Sequence, residues 1–183
     1  MIYEALFAGF GGQGVLSMGM TLGYAGVVEG KEISWMPSYG PEMRGGTANC
    51  IVIVSDRRIS SPIVTTFDTV VALNQPSVDK FERSVKPGGL IIYDATNILT
   101  PPTRTDISVL GIPASEEAVR MKNTKVMNMI VLGAVLERTH VVEVKSVMDA
   151  LRKVLPERHH HLLPLNEQAI RRGMELAGAL EAV

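Results

Sequence analysis

The chain has 183 residues, 46% of them hydrophobic and 20% charged, which excludes a disordered or fibrous protein and suits one domain able to bury roughly 70% of its unfolded surface. Eighteen Lys and Arg against 19 Asp and Glu leave a net charge of −1, which excludes a basic, non-specific nucleic-acid binder. The single cysteine excludes a disulfide scaffold and cannot by itself ligate an iron–sulfur cluster.

Residues 3–10 (YEALFAGF) are a short apolar run ending in glycine and predict a buried first strand. No basic segment precedes this run and glycines interrupt the apolar stretches, so neither a signal peptide nor a membrane span is expected. A cytoplasmic protein is the expectation. Residues 15–29 predict a helix rich in small residues. Its glycines weaken helix propensity, so burial on both sides must hold it against a sheet. Residues 32–36, 47–55, 69–74 and 89–94 predict four more strands. Between the last two, residues 76–85 predict a helix that Lys86-Pro87-Gly88-Gly89 stops. Residues 106–110 predict a sixth strand. Helices are predicted over 115–121, 126–138, 143–155 and 166–180, with residues 156–164 as a loop. This alternation predicts an α/β, Rossmann-like fold: a mostly parallel sheet flanked by helices, with a helical C-terminal part. Residues 1–183 are expected to form a single domain.

The segment Gly9-Phe10-Gly11-Gly12-Gln13-Gly14 fits G-x-G-x-x-G between a strand and a helix, the context a phosphate-binding loop requires. Glycines let backbone approach a phosphate, and the helix N-terminus offers free N–H groups and a partial positive charge. The other reading is a tight strand-to-helix turn with no ligand. A nicotinamide site also needs an acidic residue at the end of the second strand. That strand is followed by Pro37, while Glu29 and Glu32 lie at its wrong end.

A second unusual loop runs from Pro37 to Thr47 (PSYGPEMRGGT) and leaves the same sheet edge. Two prolines and three glycines impose an irregular backbone, while Ser38, Tyr39, Glu42 and Arg44 supply hydroxyl, carboxylate and guanidinium groups. Arg44 suits bidentate binding of a phosphate or carboxylate. Pairing of Glu42 with Arg44 in an ordered connection is the alternative. Elsewhere, Cys50 lies in a predicted strand and reads as a buried small hydrophobe. His159, His160 and His161 read as a solvated loop, since adjacent histidines do not share a helix face. The methionine-rich residues 121–129 read as core or subunit interface. No P-loop, H-E-x-x-H or nucleophile elbow occurs.

The two loops together, with Asn74-Gln75-Pro76, Lys86-Pro87-Gly88-Gly89 and Leu163-Pro164-Leu165-Asn166, resemble the gamma subunit of the 2-oxoacid:ferredoxin oxidoreductases across nearly the whole chain. The resemblance implies a subunit of a complex that oxidatively decarboxylates a 2-oxoacid to an acyl-CoA and passes electrons to ferredoxin. It implies alpha and beta partners, and a delta subunit where the enzyme has one. It places thiamine diphosphate, Mg and iron–sulfur clusters on those partners, with no nucleic acid and no membrane involved. On this chain it implies no catalytic residue and no metal ligand. It implies a coenzyme A contact through Gly9, Gly11, Gly12, Gln13 and Gly14, with Ser38, Glu42 and Arg44 facing the coenzyme or a partner subunit. Among substrates it favours 2-oxoglutarate, with pyruvate and branched-chain 2-oxoacids open. Two other functions stay open: a free-standing NAD(P)-dependent oxidoreductase, and a non-enzymatic nucleotide- or coenzyme-binding module.

Overall fold

A six-stranded sheet in the order β2-β3-β1-β4-β5-β6 organises the molecule. The computed structural model describes residues 1–39 and 46–180. The strands are β1 (Ile2–Phe10), β2 (Glu32–Tyr39), β3 (Thr47–Ser55), β4 (Phe67–Ala72), β5 (Val85–Asp94) and β6 (Ser108–Ile112). The helices are α1 (Val15–Val28), α2 (Gln75–Phe81), α3 (Ala114–Arg120), α4 (Met127–Thr139), α5 (Val144–Val154) and α6 (Leu163–Ala179).

The pairings β1–β4, β4–β5 and β5–β6 are parallel, whereas β3 runs antiparallel to both β1 and β2. Five strands therefore point one way and β3 points against them, so the expected mostly parallel α/β sheet is present. The reversal of β3 follows from chain length. Only residues 40–46 separate β2 from β3, too few for the crossover that a parallel pair needs.

Side-chain alternation divides the core. Tyr3, Ala5, Phe7, Val71 and Ile92 face the layer built by α1, α4 and α5. Leu6, Val70 and Ile91 face the opposite side, where Val64 and Phe81 complete a smaller cluster. Alternate residues of a strand serve opposite faces, so nearly unbroken apolar runs mark a sheet covered on both. Helix α1 packs tightly on β3: a Cβ on Gly19 would stand 3.1 Å from Val52 Cγ2. Asn128 and Thr21 are among the few buried polar side chains of this layer.

Three sequence expectations need correction. Strand β2 does not stop before Pro37 but continues through it to Tyr39. It is an edge strand, where a missing N–H costs no ladder bond. Lys86-Pro87-Gly88-Gly89 does not end a helix. It lies inside β5, which a 3₁₀ turn over Glu82–Ser84 precedes. Residues 156–164 are not a plain loop: Glu157–Leu162 form a 3₁₀ helix and α6 starts at Leu163. Pro164 sits in the first turn of α6, where its ring is tolerated. Among the described residues no helix is long and apolar enough to cross a membrane.

Candidate functional site

The glycine loop joins β1 to α1 at the carboxyl edge of the parallel strands. Gly14 is the N-cap of α1, with φ 76° and ψ 20°. That left-handed conformation is open to glycine and costly for most side chains. Space requires glycine here as well, since a Cβ would lie 2.8 Å from Asn128 Cγ. Asn128, at the start of α4, donates through Nδ2 to Gly14 O at 3.3 Å. Gly12 also has positive φ, at 96°, and a Cβ there would meet nothing within 4 Å.

The first turn of α1 carries no side-chain cap and no acidic residue. The first turn of a helix has N–H groups without intrahelical partners, aligned with the positive end of the helix dipole. They open onto a cleft of about 340 Å³, formed by the glycine loop, residues 15–17 and residues 46–48. Gly11 N donates to Gly46 O at 2.9 Å and so ties the loop to the start of β3. Ser17 and Thr47 are exposed hydroxyls on the rim. The cleft thus offers backbone donors, two hydroxyls and a dipole, with no carboxylate among the described residues of its lining. Such a surface binds phosphate or another anion.

The sequence-selected residues divide into groups. Gly11, Gly12 and Gly14 line the cleft. Gly9 lies beneath the loop, where a Cβ would stand 2.6 Å from Gln13 Oε1. Gln13 turns inward: Oε1 accepts from Phe10 N at 2.6 Å, and Nε2 donates to Leu73 O at 3.1 Å. Ser38 pairs with Asn49 across the β2–β3 ladder. By strand parity Ser38 faces away from α1, whereas Cys50 and Val52 face it. Glu42 and Arg44 lie outside the described residues. Asn128, Ser17 and Thr47 escaped the sequence reading. A polar residue opening an otherwise apolar helical run was the available signal for Asn128.

The remaining candidates have structural surroundings. Cys50 is fully buried beneath α1, and burial pushes its thiol up to about 12. With one buried thiol, the chain does not fit an iron–sulfur cluster. His160 contacts Leu155 O at 2.9 Å through its ring. Among the described residues, no group of three His, Cys, Asp or Glu side chains is placed to hold a metal ion. Glu29 accepts from Glu143 N at 2.7 Å and pairs with Lys31 at 3.0 Å. It stands at the far end of α1 from the cleft and is not placed for a ribose.

Residues 4–176 match the pyruvate ferredoxin/flavodoxin oxidoreductase family. The ketoisovalerate oxidoreductase subunit VorA of Methanothermobacter thermautotrophicus is 47% identical over 129 residues, which are 70% of this chain and 27% of that protein. The chain thus spans about a quarter to a third of the VorA relatives' length. The 2-oxoglutarate synthase subunit KorC of Methanocaldococcus jannaschii is 35% identical over 160 residues, 84% of each chain. In structure, the gamma subunit of a keto/oxoacid ferredoxin oxidoreductase from Geobacter sulfurreducens superposes with a TM-score of 0.82 at 29% identity, covering 97% of this chain and 99% of that one. A 2-oxoglutarate:ferredoxin oxidoreductase from Magnetococcus marinus, with 2-oxoglutarate, coenzyme A and succinyl-CoA bound, gives 0.89 at 26% identity over all of this chain and 32% of that one. This chain belongs to the pyruvate ferredoxin/flavodoxin oxidoreductase family and has the fold of its gamma subunits.

Proposed function

We propose that this chain is the gamma subunit of a thiamine-diphosphate-dependent 2-oxoacid:ferredoxin oxidoreductase, and that its glycine-loop cleft holds part of coenzyme A. The observation that carries the reading is the uncapped N-terminus of α1 opening onto the cleft between residues 10–17 and 46–48. It suits a diphosphate, whose charge the helix dipole and loop amides offset. Coenzyme A is the co-substrate that takes up the acyl group. The described residues bind and orient it; they supply no nucleophile or general base to the cleft. Thiamine diphosphate, Mg and the iron–sulfur clusters belong to the partner subunits, alpha and beta with a delta subunit where the enzyme has one, and ferredoxin is the acceptor.

The favoured substrate is 2-oxoglutarate. The KorC relatives support it, because this chain matches M. jannaschii KorC over 84% of both lengths. A branched-chain 2-oxoacid is the second reading, supported by 47% identity to a ketoisovalerate enzyme subunit. The test is purification of the tagged chain from its own cells under anaerobic conditions. The eluate is then assayed for coenzyme-A-dependent dye reduction with 2-oxoglutarate, pyruvate and 2-oxoisovalerate. Co-purifying subunits and activity on one acid are expected. A chain that emerges alone and inactive contradicts the reading.

A further inference from the structure

We propose that Gln13 is a positioning residue: its side-chain amide latches the glycine loop to the end of β4 and presets the cleft, without contacting the ligand. This inference rests on the coenzyme A reading of the cleft. The β1–β4 ladder pairs Ala5 to Ala8 with Thr69 to Ala72. One further bond, Leu73 N to Ala8 O at 2.9 Å, continues it. Beyond that point β1 runs on through Gly9 and Phe10 paired with β3, and it parts from β4. Gln13 spans the gap. Its Oε1 accepts the Phe10 N–H at 2.6 Å and its Nε2 donates to Leu73 O at 3.1 Å.

Both halves of the amide are engaged, and the two partners differ in polarity. A carboxylate serves Phe10 N–H but repels Leu73 O, while an ammonium does the reverse. The space for the latch comes from Gly9. A Cβ there would stand 2.6 Å from Gln13 Oε1 and 3.1 Å from Leu73 Cβ. On the opposite flank, Gly11 N is held by Gly46 O. The backbone between, Gly11 and Gly12, is thereby fixed from both β3 and β4 before a ligand arrives. Preorganisation of this kind lowers the entropy lost on binding. Its loss weakens coenzyme binding more than it slows the turnover of bound coenzyme.

The test uses the whole enzyme purified through a tag on this chain, with coenzyme A titrated at saturating 2-oxoacid. Gln13→Met removes both bonds at similar volume. It is expected to raise KM for coenzyme A about tenfold, the order expected for lost hydrogen bonds, with kcat within about twofold. Gln13→Glu keeps the acceptor and loses the donor, and it carries the test if the Met variant does not assemble. A raised KM is expected there as well. Gly9→Ala displaces Oε1 and is expected to match Gln13→Met, and the double variant is expected to be no worse than either single one. A KM within twofold of wild type in Gln13→Met and Gln13→Glu, together with a raised KM in Gly12→Val, overturns the latch and leaves the cleft reading standing. If Gly12→Val also leaves KM unchanged, the coenzyme reading falls and the latch with it. Equal losses in kcat and 1/KM overturn the positioning role too.

Discussion

Replacing Gly14 by alanine tests the geometry of the loop at its most constrained point. Two costs add. Left-handed backbone, with φ 76° at Gly14, costs an L-residue about 1–2 kcal/mol. The new methyl also overlaps Asn128, whose Cγ and Cβ stand 2.8 and 3.0 Å from the Cβ position. Asn128 must swing away and lose its 3.3 Å bond to Gly14 O, worth about 1 kcal/mol. Alanine restricts the unfolded chain and returns about 0.5 kcal/mol. The net loss is about 2 kcal/mol, which lowers Tm by about 4–8 °C in a chain of this size. Urea and thermal denaturation of the full chain measure it. The two costs separate in an Asn128→Ala background: the overlaps with Cγ and Nδ2 are gone there and the 3.0 Å approach to the Cβ of residue 128 is what remains, so Gly14→Ala should cost about 1 kcal/mol less. A loss below about 0.5 kcal/mol, or an equal loss in both backgrounds, refutes the reasoning.

Gly173→Ala places a Cβ 2.7 Å from Ile130 C across the α4–α6 crossing. No rotamer relieves a clash with backbone, so a loss of about 3 kcal/mol is expected by denaturation, and a neutral result contradicts the close crossing. The Cys50 thiol, raised to about 12 by burial, should resist iodoacetamide at pH 8 in the native chain and react once unfolded. Mass spectrometry reads this, and native labelling at the unfolded rate counts against its burial. Glu117 is buried, with Oε1 2.6 Å from Arg120 and Oε2 2.8 Å from Arg172. The Arg172 guanidinium holds its carboxyl below the ordinary glutamate value of 4.5. The stability it contributes is present above that value and is lost as pH falls through the lower folded pKa. Glu117→Gln should therefore cost about 1–2 kcal/mol at pH 7 and flatten the stability profile below pH 4.5. An unchanged profile speaks against the pairing.

What the sequence shows plainly follows from local pattern. Residues 47–55 read as a strand because β-branched residues crowd their second half, and β3 has those bounds. Helix α1 was legible from its small apolar residues, and its start at Val15 from the preceding glycines. The beginning of β5 was not legible. Pro87, Gly88 and Gly89 carry the marks of a stop, yet the strand passes through them with a register shift against β4 between Phe67 and Thr69. Gly89 approaches Asp68 O so closely that a Cβ would stand 2.9 Å from it. That need is set by a neighbouring strand and is invisible along the chain. The site divides the same way. Gly11, Gly12 and Gly14 announce a cleft by spacing alone. The inward turn of Gln13 depends on Leu73, 60 residues away, and the Gly14 contact depends on Asn128, 114 residues away. Ser38 shared an edge with the loop in sequence, but strand parity put it on the other face.

Hydrogen exchange of the purified enzyme, with and without coenzyme A, tests the central claim most directly. Residues 11, 12, 14–17 and 46–48 line the cleft, so added coenzyme A should slow exchange of their backbone amides while the α4–α6 contact is unaffected. Turnover that needs coenzyme A, with exchange in these segments unchanged by it, would contradict a coenzyme site on this chain.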